Sequence, residues 1–470
     1  MKTLHIGLQA LGLLARKGLL ALSFLIAARM LGPKTYGELS YLYTWTYIFF
    51  ILSGLGFAAV STREIARSIA DAHHLLRASL LVRIVSACVG SVLLCVLVAT
   101  PSLFGRDSSL RVALVYAWII PAYAILDQLG AYVMAFERNA SFAALNLIQW
   151  GCFFLATILA LLRGPELSAL VAWQTAGMWV GLVLACTLLR RPLLEAWRAK
   201  TNRKVAWFLF TEAVPLALTN ILAILYFRVG TLYLFRYSGA EQTGIFTSAS
   251  QIVEASQLIP MALVGAAFPI ICRAAQDPEK LASIFERVTS TLIFIALFVA
   301  ATGTAVSSTV VRLLYGPSYV SSGFLLRVLI WTVVPTFLHY ALAYFLIAVG
   351  RQQVVPISAL VGVAVSLTGN FLLVPRLGAL GAVYSSAATE TSICVLHLFF
   401  IVKYVVLRRQ IRFVSIAAVG ALLVWILGKL WEGQINATIP HVFGFGGLSL
   451  VLFSISFLAY RRLASPVEIA

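Results

Sequence analysis

Apolar residues run along this chain in blocks of about twenty, each closed by a short cluster of charged, Gly or Pro positions. A helix that crosses a bilayer takes roughly 20 mostly apolar residues. The blocks predict helices at about 6–29, 39–62, 79–100, 110–136, 140–162 and 167–189. A second set is predicted at about 205–235, 243–272, 284–308, 322–349, 353–375 and 379–403, and two more at 412–430 and 441–460. The pattern therefore predicts an all-α polytopic membrane protein of about 14 transmembrane helices. With the N-terminus on the cytoplasmic side, 21 Lys and Arg fall in cytoplasmic turns and 10 in the opposite ones. Basic residues hold short loops inside, so both termini are expected in the cytoplasm.

The turns repeat. Gly32-Pro33-Lys34-Thr35-Tyr36-Gly37 follows the first block, and Gly239-Ala240-Glu241-Gln242-Thr243-Gly244 follows the seventh, at an offset of 207. Arg163, Leu167 and Ala169 recur as Arg376, Leu380 and Ala382, and Glu137-Arg138-Asn139 as Gly350-Arg351-Gln352, both at 213. An even number of spans separates the copies, so they point the same way across the membrane. The expected organisation is an N-terminal six-helix lobe (1–200), a C-terminal six-helix lobe (201–403) and an appended two-helix segment (404–470). Two parallel lobes around a central cavity are what alternating access requires.

Composition agrees: 61% of the 470 residues are hydrophobic and 11% charged, with mean hydropathy +0.96. Soluble domains average about 25% charged, so a cytosolic enzyme, a secreted disulfide scaffold and a disordered chain are excluded. The net charge of +18 fits positive-inside turns against anionic membrane lipids, and no nucleic acid is expected as a partner. The six Cys lie in apolar runs without CxxC spacing and read as small buried hydrophobes. Arg16 and Lys17 sit inside the first apolar stretch, which reads as an uncleaved helix. No P-loop, His-Glu-x-x-His or Gly-x-Ser-x-Gly motif occurs. The chain is therefore read as a non-enzyme, with no catalytic residue, cofactor or metal.

Ionisable residues inside a bilayer usually face a cavity or a partner. Arg16 and Lys17 lie about ten residues from either end of the first span, roughly 15 Å, beyond full snorkelling reach. They line a hydrated cavity or belong to a distorted first helix. Arg228, nearer a span end, is the third candidate for substrate binding. Arg83 is expected to snorkel from the inner end of span 3. Asp127, Glu254 and Glu390 lie deep in spans and serve ion coupling, neutralise basic partners or are simply protonated. His339 reads as a satisfied core histidine or a proton relay. The run Tyr41, Tyr43, Trp45, Tyr47 reads as an interfacial aromatic belt or as rings for sugar stacking. Fixed cations in a wet cavity suit an anionic cargo, and both Arg and Lys bind diphosphate.

Several segments resemble oligosaccharide flippases of the O-antigen and capsule type, in the multidrug/oligosaccharidyl-lipid/polysaccharide exporter superfamily. They are Ala28 to Gly37, Ser61 to Arg67, Tyr226-Phe227-Arg228 with Gly244-Ile245-Phe246, Ile259-Pro260 and Phe268-Pro269, and Gly369-Asn370 to Val374-Pro375 followed by Gly378 to Ala382. The resemblance implies flipping of polyprenyl-diphosphate-linked oligosaccharide across a bacterial inner membrane, with polysaccharide polymerase machinery as a partner. It also implies a V-shaped lobe pair with a cationic cavity, with Arg16 and Lys17 at cavity-lining positions. Relatives often carry an acid two residues after the Arg228 position, where this chain has Gly230; coupling would then fall to Glu254 or Glu390. Asn370 keeps the Asn of span 11, but Val374 supplies no nearby carboxylate. The competing expectations are a cation-coupled multidrug antiporter of the same superfamily and a polysaccharide polymerase or assembly subunit.

Overall fold

Gly32 and Gly239 turn the backbone in the same way. In the computed structural model, which describes residues 2–54, 56–100, 110–199, 203–402 and 404, Gly32 has φ 76, ψ 169 and Gly239 has φ 82, ψ 177. That region is open essentially to glycine alone. Each turn folds a long helix into two legs: α1 (Lys2–Gly54) around Gly32, and a 54-residue helix (Arg203–Ser256) around Gly239. Pro33 has no N–H to leave unpaired at the start of the second leg.

All elements among the described residues are helical. After α1 come α2 (Phe57–Arg67), α3 (Ala72–Val98), α4 (Leu110–Ala117), α5 (Ile119–Ala135), α6 (Asn139–Arg163), α7 (Leu167–Leu188) and α8 (Arg190–Arg198). The helix turning at Gly239 is α9, followed by α10 (Leu258–Ala274), α11 (Pro278–Tyr315), α12 (Val320–Leu329), α13 (Val333–Ala348), α14 (Val354–Leu377) and α15 (Ala379–Ile401). The twelve apolar blocks up to residue 403 all fall on these helices. Block one and most of block two share α1, with the end of block two on α2; block seven and the start of eight share α9, and blocks four and ten are each broken into two pieces. Nine described helices are long and apolar enough to cross a membrane. The expected spans at 412–430 and 441–460 lie outside the described residues.

The repeat extends from turns to elements. Shifting α6 and α7 by 213 residues lands on α14 and α15, and shifting α3 lands within α11. Glu137 (φ 55) and Gly350 (φ 76) are the same turn in each copy, both left-handed. Glu137 is the one non-glycine residue with positive φ among the described residues.

The chain divides into two compact units, Met1–Arg228 and Val229–Ala470. In the first, α1 packs along α6 and α6 along α7. Small buried residues, Ala27 and Ala28 on α1 and Ala156 and Ala160 on α6, let backbones approach, as suits helices without a hydrophobic drive between them. Phe57, Val60 and Ala78 enclose Leu209 and Ala213 at another point of this unit. In the second unit α14 packs along α15, and a core of Ile271, Leu281, Phe285, Leu342 and Phe345 joins α10, α11 and α13. On α3, Val85, Val89, Val92 and Val96 are 53–61% exposed, while Ala87, Gly90, Ser91 and Leu94 are buried. The first four recur at helical spacing and form an apolar stripe that water would not solvate. The protein is a multi-pass membrane protein.

Candidate functional site

The first unit gathers aromatic rings around two arginines. Tyr43, Tyr47 and Phe50 recur every three to four residues along the second leg of α1, which puts them on one face. Tyr43 stacks on Tyr47 (5.7 Å between centroids, 10° between planes), Tyr47 on Phe50 (6.1 Å, 19°), and Phe50 on Tyr123 of α5 (3.9 Å, 7°). Trp150 of α6 closes the series edge-on against Tyr123 at 5.6 Å. These rings, with Tyr116 of α4, line a small apolar cavity. Tyr43 and Tyr47 thus turn into the unit, and the belt expectation fails for them. Their face of the helix meets α4 to α6, where rings bury more apolar area than they would at a lipid headgroup.

Arg16, on the first leg of α1, donates from Nη2 to the Tyr123 hydroxyl. Its guanidinium carbon stands 5.7 Å from the Tyr123 centroid and 5.9 Å from that of Trp150, within cation–π range of about 6 Å. Among the described residues Arg16 is held by a phenol and two ring faces, with no carboxylate at ion-pair distance. Arg16 and Arg228 both act electrostatically on Tyr43, so these two predicted cations converge on one ring. Lys17 is exposed beside Arg16.

Arg83 behaves differently from expectation. It is 1% exposed and does not snorkel; Nη2 donates to Oδ2 of Asp127 at 3.0 Å. Burying a guanidinium is costly unless a counter-ion comes with it, and α5 supplies one. The guanidinium also lies 5.3 Å over the Phe50 ring. Asp127, a predicted coupling acid, is therefore the partner of a buried base.

The other candidates lie in the second unit. Glu390 of α15 is 7% exposed; its Oε2 accepts from Thr336 Oγ1 and from His339 Nε2, each at 2.9 Å. His397 approaches the His339 carbonyl at 3.3 Å through Nδ1 and Ser358 Oγ at 2.8 Å through Nε2. His339 is thus satisfied in the core and joined to an acid. Asn370 is 1% exposed, and its Nδ2 donates to the Ser366 carbonyl (2.7 Å) and Ser385 Oγ (2.9 Å). A Cβ on Gly230 would lie 3.3 Å from Asn370 Oδ1, so the residue in the place of the relatives' acid faces this amide. Glu254 acts on Tyr315, whose hydroxyl donates to Gln251 Oε1 at 3.4 Å. None of the six cysteines forms a disulfide.

Sequence reading missed Tyr123, Trp150 and Tyr116. The spacing of Tyr116, Ile119, Ile120 and Tyr123 marks one helical face, but nothing along the chain says that this face meets Arg16.

Residues 5–275 match the polysaccharide biosynthesis protein family. A curated relative, the capsular polysaccharide biosynthesis protein CapF of Staphylococcus aureus, is 22% identical over 233 residues, 47% of this chain and 58% of that protein. The fold is similar to that of the lipid II flippase MurJ in an inward closed conformation: TM-score 0.76 at 14% identity, covering 97% of this chain and 99% of that one. It is also similar to an inward-facing multidrug resistance MATE family transporter of the MOP superfamily, with TM-score 0.65 at 15% identity over 83% and 93% of the two chains. The fold agrees with that of these transporters, and the chain belongs to the polysaccharide biosynthesis protein family.

Proposed function

We propose that this protein flips polyprenyl-diphosphate-linked oligosaccharide across a bacterial inner membrane by alternating access, for export of an O-antigen- or capsule-type polysaccharide. The observation that carries this reading is Arg16, a permanent cation set among aromatic rings, which Asp127 reaches only through space and no carboxylate contacts among the described residues, in contrast with Arg83, which pairs with Asp127 directly. A guanidinium in an apolar unit with no carboxylate in contact is a site for an anion, and its planar fork suits a phosphate group. Arg228, converging on Tyr43, adds a second positive charge, and Lys17 lies one residue from Arg16. A cation-binding drug antiporter would place an acid there instead.

In this reading residues 1–200 and 201–403 are the two moving lobes, both termini are cytoplasmic, and polysaccharide polymerase machinery takes the flipped unit. Ion coupling falls to Glu390, whose carboxylate shares a buried hydrogen bond with His339, with Glu254 and Asn370 as further candidates. The test is lipid extraction from a strain lacking the gene, with a membrane-impermeant glycan probe reporting sidedness. Complete lipid-linked units accumulating on the cytoplasmic face are expected. Unpolymerised units on the outer face would assign a polymerisation or assembly role, and unchanged lipids would refute the proposal.

A further inference from the structure

Helix α8 (Arg190–Arg198) follows α7 after a single residue, Leu189, and has two unlike faces. One face is held by α3: Ala196 is buried, and α8 packs along that helix. Arg77 of α3 donates from Nη1 to the Trp197 carbonyl at 3.0 Å and to the Ala199 carbonyl, and His73 pairs with Glu195 at 3.0 Å. The last carbonyls of a helix have no partner within it, so Arg77 fixes the end of α8 as well as its place. The other face is exposed. Leu194 and Trp197, three residues apart and so on one strip, are 56% and 52% exposed, although the Arg77 guanidinium stands 5.6 Å over the Trp197 ring. The adjacent strip around the helix holds Arg191 and Arg198, seven residues apart and both exposed. Neither pairs with a carboxylate among the described residues, Glu195 being taken by His73.

Exposed apolar side chains flank α8 in the chain. Val183 and Leu188 end the spanning helix α7, and Trp207 and Phe208 lie in the second turn of α9. The helix between them therefore stands where the bilayer meets water, the level at which Trp is enriched. A helix with an exposed apolar strip beside a row of arginines lies in that plane, its apolar side chains among acyl chains and its cations at the headgroups. A soluble acidic protein would satisfy the arginines through water-exposed contacts and leave Leu194 and Trp197 without apolar cover. A phospholipid covers both strips at once, and an anionic headgroup supplies the net charge that a zwitterionic one lacks.

We infer that α8 is an in-plane membrane anchor that binds anionic phospholipid headgroups through Arg191 and Arg198, with Leu194 and Trp197 set among the acyl chains. The guanidinium fork suits the phosphodiester oxygens of such a headgroup. Arg77 and His73 hold the opposite face, so the bound lipid fixes the segment that leads from α7 into α9 through a helix already pinned to α3. The inference is independent of the cargo proposed above.

The test is hydrogen–deuterium exchange of the full-length protein in nanodiscs, read at the backbone amides of residues 190–199. Three discs are compared: phosphatidylcholine alone, an equal mixture with phosphatidylglycerol, and phosphatidylcholine carrying polyprenyl phosphate. Phosphatidylglycerol should slow exchange in wild type about tenfold, equivalent to about 1.4 kcal/mol. Arg191→Gln/Arg198→Gln should lose that slowing. Arg273→Gln/Arg287→Gln, which removes two exposed charges outside α8, should keep it. Leu194→Ser should speed exchange in every disc, by weakening the apolar hold. Equal exchange of wild type with and without phosphatidylglycerol overturns the inference, as does a slowing that survives the α8 double variant or disappears in the control. Slowing by polyprenyl phosphate but not by phosphatidylglycerol would make α8 a contact for the cargo lipid, and overturns it too. Leu194→Ser exchanging like wild type refutes the insertion of the apolar strip.

Discussion

Replacing Asp127 by Leu should destabilise the protein by stranding Arg83. The guanidinium is 1% exposed, and its Nε and Nη1 already lack hydrogen-bond partners among the described residues. Its Nη2 bond to Asp127, 3.0 Å long, is therefore its principal compensation, helped by the Phe50 face at 5.3 Å. Removing one partner of a fully buried pair costs about 3–5 kcal/mol. The Asp127 side chain is 24% exposed, which screens part of the interaction and brings the expected loss to about 2–3 kcal/mol. Asp127→Asn retains an acceptor and should lose less. Arg83→Met/Asp127→Leu removes both charges and should return near wild type, because an apolar pair of similar volume needs no desolvation. Thermal unfolding in detergent of wild type, Arg83→Met, Asp127→Leu and the double variant, analysed as a double-mutant cycle, reads this directly. If Asp127→Leu unfolds at the wild-type temperature, Arg83 does not depend on the carboxylate and the argument fails. The same double variant separates structure from coupling: stable protein that still transports assigns Asp127 to the core, and stable protein that does not transport assigns it a role in the cycle.

Gly32→Ala and Gly239→Ala should each cost about 1–3 kcal/mol, since both force a side chain into the same glycine-only conformation; calorimetry should give two similar losses, and a silent substitution at either position would contradict the backbone assigned there. Glu390→Leu should destabilise by about 1–3 kcal/mol by leaving the Thr336 hydroxyl and His339 unpaired, while Glu390→Gln should fold and lose dependence of flipping on an imposed proton gradient, measured in proteoliposomes; an unchanged dependence removes Glu390 from coupling. Asp277, ahead of α11, accepts from the Lys280 N–H at 3.2 Å and pairs with its ammonium at 2.9 Å, which holds the carboxyl below its ordinary range. A depressed folded-state value gives stability that is present above the unfolded pKa of about 3.9 and is lost as pH falls through the lower folded value. Unfolding temperatures of wild type and Asp277→Asn should therefore converge below about pH 4, and a constant difference across that range would rule the pairing out.

The fold was legible wherever a local pattern fixes it. Apolar block length located the helical segments up to residue 403, and the offset of 207 marked Gly32 and Gly239 as equivalent turns. What sequence hid were contacts between residues far apart in the chain. Arg83 reads as a snorkelling base because it stands near a span end; its pairing with Asp127 depends on α3 and α5 being neighbours. Tyr43 and Tyr47 carry the same signal as a lipid belt, since an amphipathic ring suits both settings, and only the packing of α1 against α4, α5 and α6 decides between them. The break at Gln257 and the splitting of blocks four and ten leave no trace in hydropathy, because the residues on both sides are equally apolar.

The bend at Gly32 has a mechanical consequence. One residue makes the whole turn, so α1 has no slack at its corner and each leg is a stiff arm pivoting on a single pair of torsions. Arg16 lies sixteen residues out along one arm, about 24 Å at 1.5 Å per residue. A swing of about 10° at the corner displaces the guanidinium by roughly 4 Å, more than the tolerance of the hydrogen bond it makes to Tyr123. In the proposed transport cycle the position of Arg16 is thus set from the far end of its own helix, with a leverage that a flexible loop at Gly32 would dissipate.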